Sequence, residues 1–141
     1  MKIRFWYVIV PALLALGLLS GCKSLPPAEA TKSAANETRT LIRENVSDES
    51  KAKTLIALVD QLENDLKAYN EKQDAHNEAL VKKNADYDAS REDFQKLYDA
   101  YNRDSRAFVM KIAKTHLDMQ KLATFEEWAV ISKPKHRIGG F

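Results

Sequence analysis

Between Ala28 and Lys133 the chain contains neither glycine nor proline. The four glycines (Gly17, Gly21, Gly139, Gly140) and four prolines (Pro11, Pro26, Pro27, Pro134) all lie outside that stretch. Tight turns with positive φ depend on glycine, and proline is the strongest helix breaker, so so long a run without either leaves few options except helix. The same stretch is rich in Ala, Leu, Lys, Glu and Gln, all good helix formers. No alternating β-branched run between turn residues competes. The expected fold class is all-α.

Apolar spacing says how the helices are arranged. Leu55, Val59, Leu62, Leu66, Tyr69, Gln73, His76 and Leu80 follow the alternating four-three spacing of a heptad seam. A second seam runs Phe94, Tyr98, Tyr101, Ser105, Phe108, Ile112, His116 and Met119. Between them "KKNADYDASRED" brings Asn84, Asp86 and Asp88, poor helix formers, and then Ser90 and Asp93 at the spacing of a capping box. The expected architecture is a long, coiled-coil-like helical hairpin turning near residues 84–89. It would set Leu80 against Phe94, His76 against Tyr98, Gln73 against Tyr101, Leu66 against Phe108 and Leu62 against Ile112. One continuous helix from Asp48 to Leu122 would satisfy the same heptads, and at ~1.5 Å per residue it would exceed ~100 Å.

Short helices are expected on either side. "NETRTLIRENV" (36–46) places Leu41, Ile42 and Val46 on one side, and Ser47-Asp48-Glu49 offers a cap and acidic first turn for the next helix. Thr124 and Glu127 form a capping box for a short helix carrying Trp128 and Ile131, which Pro134 stops. Phe125 and Trp128 are expected to cover an end of the hairpin. Two helices alone bury too little surface, so these pieces or a second copy must close the core. The helical domain is expected to span 36–132.

The N-terminus reads as a secretory leader. Lys2 and Arg4 precede the apolar segment Phe5 to Leu19, which is shorter than the ~20 residues of a membrane span. The only cysteine follows it. Leu19-Ser20-Gly21-Cys22 resembles the lipobox of bacterial lipoproteins, which implies cleavage after residue 21 and diacylglycerol on Cys22. Residues 1–21 are then a signal peptide and 22–35 a lipidated N-terminus and flexible tether, with Pro26-Pro27 favouring an extended spacer. Lys23, in place of Asp, resembles lipoproteins sorted to the outer membrane. Loss of Lys2 and Arg4 leaves 20 basic and 20 acidic residues, a balance that recruits no nucleic acid.

No catalytic constellation emerges, and no enzyme activity, cofactor or small-molecule substrate is expected. Glu126 and Glu127 are read as negative charge in a helix first turn. His116 and Met119, one turn apart, are weak candidates for a soft metal ion and too few for a site without further ligands. His76 is read as a hydrogen-bonded residue of the seam. Leu58, Val81, Leu97, Val109 and Leu117 lie beside the main seam, and Leu58, Val109 and Leu117 are the expected interaction residues. The basic tail 133–141, "KPKHRIGGF", is read as solvated, with contact to anionic lipid or cell-wall polymer as its functional alternative.

The segment from Phe94 to Trp128 resembles the C-terminal part of helical lipoproteins of bacteria, in which an aromatic helix bearing Arg and His leads into a Thr-Glu-Glu-Trp ending. More distantly, Leu122 to Glu127 is similar to periplasmic chaperones of the spheroplast-protein-Y type, whose Leu-Thr-x-x-Gln repeats are absent here. The expected function is that of a lipid-anchored structural or adaptor protein of the bacterial envelope. It would sit on the periplasmic side of the outer membrane and act by contact with an envelope protein or by self-association. The alternative is a stress- or metal-responsive binder or chaperone using His116 and Met119.

Overall fold

A computed structural model describes residues 28–134. Four helices follow in order: α1 (Ala28–Asn45), α2 (Glu49–Asn84), α3 (Arg91–Leu122) and α4 (Phe125–Ile131). Among the described residues there is no strand, and no helix is long and apolar enough to cross a membrane. Cys22, the expected leader and residues 135–141 lie outside the described residues.

α2, α3 and α4 each begin on a side chain that satisfies orphan backbone donors. The Asp48 carboxylate accepts from the Lys51 N–H at 2.9 Å. Reciprocal capping boxes start α3 (Ser90 with Asp93) and α4 (Thr124 with Glu127). The turn at 85–90 is braced by Asp86, which accepts from the Asp88 N–H and holds Lys83 at 3.0 Å. Tyr87, at its tip, is fully exposed.

α2 and α3 form the expected hairpin, and His76 differs from its expected pairing. His76 meets Asp104 at 3.1 Å and packs edge-on against Tyr101, not Tyr98, one turn further along α3 than the heptads alone place it. Tyr98 is exposed. Tyr69 stacks on Phe108 with ring centroids 4.0 Å apart and hydrogen-bonds Ser105 at 2.9 Å. Lys111–Asp65 at 2.6 Å and Lys72–Asp104 at 3.3 Å lock the stagger from outside the seam. At the open end the α3 seam runs Phe108, Ile112, Thr115 and Met119, so Thr115 takes the buried position expected of His116. Thr115 hides its hydroxyl by donating to the Lys111 carbonyl at 3.1 Å.

The core is confined to that open end. Leu55, Val59, Leu62 and Leu66 of α2 meet Phe108, Ile112 and Met119 of α3, and α1 and α4 complete the cluster with Ala34, Ala35, Ile42, Val46 and Ile131. The expected tether is therefore corrected for residues 28–35, which are helical. Thr31, Ala34, Ala35, Thr38 and Ile42 recur at helical spacing and are buried. Small side chains that suit a spacer equally suit close helix approach, and Ala is the best helix former. Arg39 fastens α1 to α2 through Asp60, at 2.7 Å, and Glu63. Lys51 does the same for α4 through Glu127 at 2.8 Å. Pro134 is buried, so the packed body runs past the expected start of the tail at 133. Phe125 is 83% exposed and covers nothing, while Trp128 packs on the core.

From Lys67 to Ala107 no residue is buried. α1 has 18 residues against 36 in α2, so at ~1.5 Å per residue it leaves about 25 Å of the hairpin uncovered by any other described helix. The molecule divides into a four-helix base and a two-helix arm.

Candidate functional site

The base is not fully closed. α3 packs mainly on α2, while α1 packs on α2 and α4. α4 has seven residues, about 10 Å of helix, and cannot shield the flank of the 32-residue α3. An open groove of about 600 Å³ results. Val109, Ala113, His116 and Leu117 form its α3 wall; Thr38, Trp128, Ser132 and Pro134 form the wall from α1 and α4. Leu62, Ile112, Met119 and Ile131 reach it from the core.

Two of the three expected interaction residues meet here. Val109 and Leu117 are 46% and 53% exposed and line the groove. Leu58 does not join them: it is half-buried against the core and absent from the groove walls. Its position is four residues before Leu62, on the face of α2 that the bundle covers. Thr38, Trp128, Ser132 and Pro134 carried no such expectation. The helical repeat linking Thr31 to Thr38 was the signal for the first of them; the position of Pro134 depends on where α4 docks.

The metal candidates are also placed. His116 and Met119 both line the groove, with Met119 almost fully buried. Among the described residues no group of three or more His, Cys, Asp or Glu could hold a metal ion. His136 and Cys22 lie outside the described residues.

The acidic pair at the start of α4 has a structural occupation. The Glu127 carboxylate accepts from the Lys51 ammonium and from the Thr124 N–H, both at 2.8 Å, and these bonds hold its carboxyl below the usual carboxylate range. Glu127 thereby fixes the angle at which α4, and with it Trp128, meets the base. Glu126 is exposed beside it.

The arm offers a second surface. Its seam is polar at the centre, where Asp104 accepts from Lys72 and pairs with His76; the hydrogen bond with His76, then that from Lys72, keeps the Asp104 carboxyl below its ordinary value against the opposing effect of burial. The Gln73 amide nitrogen in the same seam is buried without a hydrogen-bond partner. Val81, Tyr87, Tyr98 and Tyr101 are exposed along the arm. No protein-family model, curated protein or solved structure matches the chain.

Proposed function

We propose that the chain is a lipid-anchored lipoprotein of the bacterial envelope, held through Cys22 on the periplasmic side of the outer membrane, and that it acts as an adaptor by protein contact. One observation carries the contact reading: half of the hairpin stands clear of the base as a two-helix arm bearing exposed Val81, Tyr87, Tyr98 and Tyr101. Tyr is amphipathic and loses little conformational entropy when it is covered, which makes it a favoured contact residue. An arm whose two helices already pair with each other presents such residues on a fixed frame. The base supplies the stability, and the lipobox-like Leu19-Ser20-Gly21-Cys22 supports the anchor. The metal-responsive alternative draws no support from Met119, whose thioether is packed in the core.

A photo-crosslinking residue placed in the full chain at Tyr87 or Tyr98, in bacterial cells, tests the contact. The expected result is a discrete adduct of fixed mass from both positions and none from Lys53, an exposed position on the base. An adduct of twice the chain mass identifies a second copy; any other fixed mass identifies an envelope partner. Absence of adducts from the arm, or equal yield from Lys53, overturns the reading. Cys22→Ser is expected to release the chain from the membrane fraction, and retention there would refute the lipid anchor.

A further inference from the structure

The base has one surface that the arm does not share: the side of α3 turned away from its seam. Phe108, Ile112, Thr115 and Met119 mark the buried side of the helix. On the opposite side Arg103, Arg106, Met110, Lys114, Leu117 and Lys121 follow one another three or four residues apart, the spacing of a single helical row. All six are exposed, Met110 to 72%. At ~1.5 Å per residue the row is about 27 Å long. Its geometry is fixed by one helix and does not depend on how the other helices dock.

Four cations and two apolar side chains make up the row, and no carboxylate lies on it. Asp104 is turned into the seam, where it accepts from Lys72 and pairs with His76. Asp118 lies to one side and holds Lys114 at 2.6 Å. Arg103, Arg106 and Lys121 form no ion pair among the described residues. Nearer the tip the same side of α3 brings Lys96 together with Glu92 and Asp99, so the cationic excess ends at Arg103. Glu126, in the first turn of α4, comes only after the end of α3.

This composition selects among occupants. A second copy would oppose the same cations to one another, with no carboxylate on the row to answer them. The centre of a protein–protein interface is depleted in charged residues, whereas here charge stands on both sides of each apolar residue. A convex helix face with cations beside apolar side chains is the pattern of a helix lying in a membrane interface. There the apolar groups enter the boundary, and Arg and Lys extend along it to the headgroups.

We propose that this face of α3 docks on a bilayer surface bearing anionic headgroups. Met110 and Leu117 enter the interface, and Arg103, Arg106, Lys114 and Lys121 meet lipid phosphates. The docking is distinct from the anchor at Cys22 and from contact through the arm, and it requires neither.

A nitroxide on Met110→Cys, in the full chain carrying Cys22→Ser so that the label has a single thiol, reports the contact. With vesicles of phosphatidylcholine and phosphatidylglycerol, its collisions with oxygen should rise relative to those with a water-soluble nickel complex, by about threefold or more. No such rise is expected with phosphatidylcholine alone, nor from a label on Lys53→Cys, exposed on α2. Because the N-terminal segment is the same in every arm, its own affinity for vesicles does not produce this difference. Combining Arg106→Gln with Lys121→Gln, two exposed positions, should abolish the rise with helicity retained by circular dichroism. So should ~1 M salt, where the screening length falls to about 3 Å. The proposal is overturned if the Met110 label stays in water on the anionic vesicles, or if neutral vesicles, the Lys53 label or the double charge variant give the same rise. Concentration-dependent immobilisation of the Met110 label without vesicles would show that a second copy covers this face, and would overturn it equally.

Discussion

Truncation of Ile42 measures what α1 contributes to the fold. Ile42 is 0% exposed and is among the largest fully buried side chains. Ile42→Ala removes three carbon groups, and at ~0.8 kcal/mol per buried methylene the transfer loss alone is about 2.4 kcal/mol. The residual cavity adds roughly 24 cal/mol per Å³, which brings the expected cost to about 3–4 kcal/mol, inside the ~2–5 kcal/mol range for such changes. A domain of this size has a total stability of only ~5–15 kcal/mol. For about a hundred residues each kcal/mol moves Tm by roughly 4–8 °C, so Ile42→Ala should melt at least ~12 °C lower. Thermal melts of the full chain followed by circular dichroism at 222 nm give the value. Val81→Ala, at an exposed arm position, is the control and should stay within ~0.5 kcal/mol of the parent. An Ile42→Ala melt as close to the parent as the control would show that α1 is not part of the core. Ala35→Leu extends the test to the segment with spacer-like composition. A tether would accept the larger side chain freely, whereas the fully buried site should lose ~1–3 kcal/mol to overpacking.

Spin labels at the exposed residues Lys53 and Lys121 should lie within ~25 Å in the hairpin; a continuous helix would hold them ~100 Å apart at ~1.5 Å per residue, and that separation would refute the turn at 85–90. Removal of the cap hydroxyl by Thr124→Ala should cost ~1 kcal/mol and loosen α4 selectively, seen as increased quenching of Trp128 by iodide. Because the Glu127 carboxyl is held below its ordinary range, its bonds to Lys51 and Thr124 contribute fully above that range. The contribution falls as pH drops through the ordinary range and is lost below the lowered value. Trp128 fluorescence should report this acid limb, Glu127→Gln should flatten it, and an identical profile in that variant would refute the assignment.

Local chemistry was legible where a single residue type carries the information. Asp48, the Ser90–Asp93 pair and the Thr124–Glu127 pair each mark a helix start, because orphan N–H groups demand a side-chain acceptor there. The hairpin was legible from the heptads and the weak segment between them. The partner of His76 was not, since a seam residue can reach positions one turn apart on the facing helix. Lys111–Asp65, Lys72–Asp104 and His76–Asp104 decide it through polar residues that a reading of apolar spacing passes over. The start of α1 was hidden because Ala, Ser and Thr suit both a spacer and a tightly packed helix. Of the expected interaction residues, Val109 and Leu117 were legible as a flank of α3 without a partner inside the hairpin. Leu58 occupies an equivalent heptad flank on α2, and only the docking of the other helices distinguishes a covered flank from an open one.

The division into a packed base and a bare arm underlies the proposal of protein contact, and residue-resolved amide hydrogen exchange on the full chain tests it most directly. Opening free energy follows local burial, so the core segments of a cooperative base exchange only on global unfolding, while a two-helix arm opens locally. The predicted result is strong protection at 34–42, 55–66 and 108–119, with amides at 73–84 and 91–104 exchanging at least a hundredfold faster. Equal protection along the whole of α2 and α3 would mean that the arm is covered, and would contradict the account.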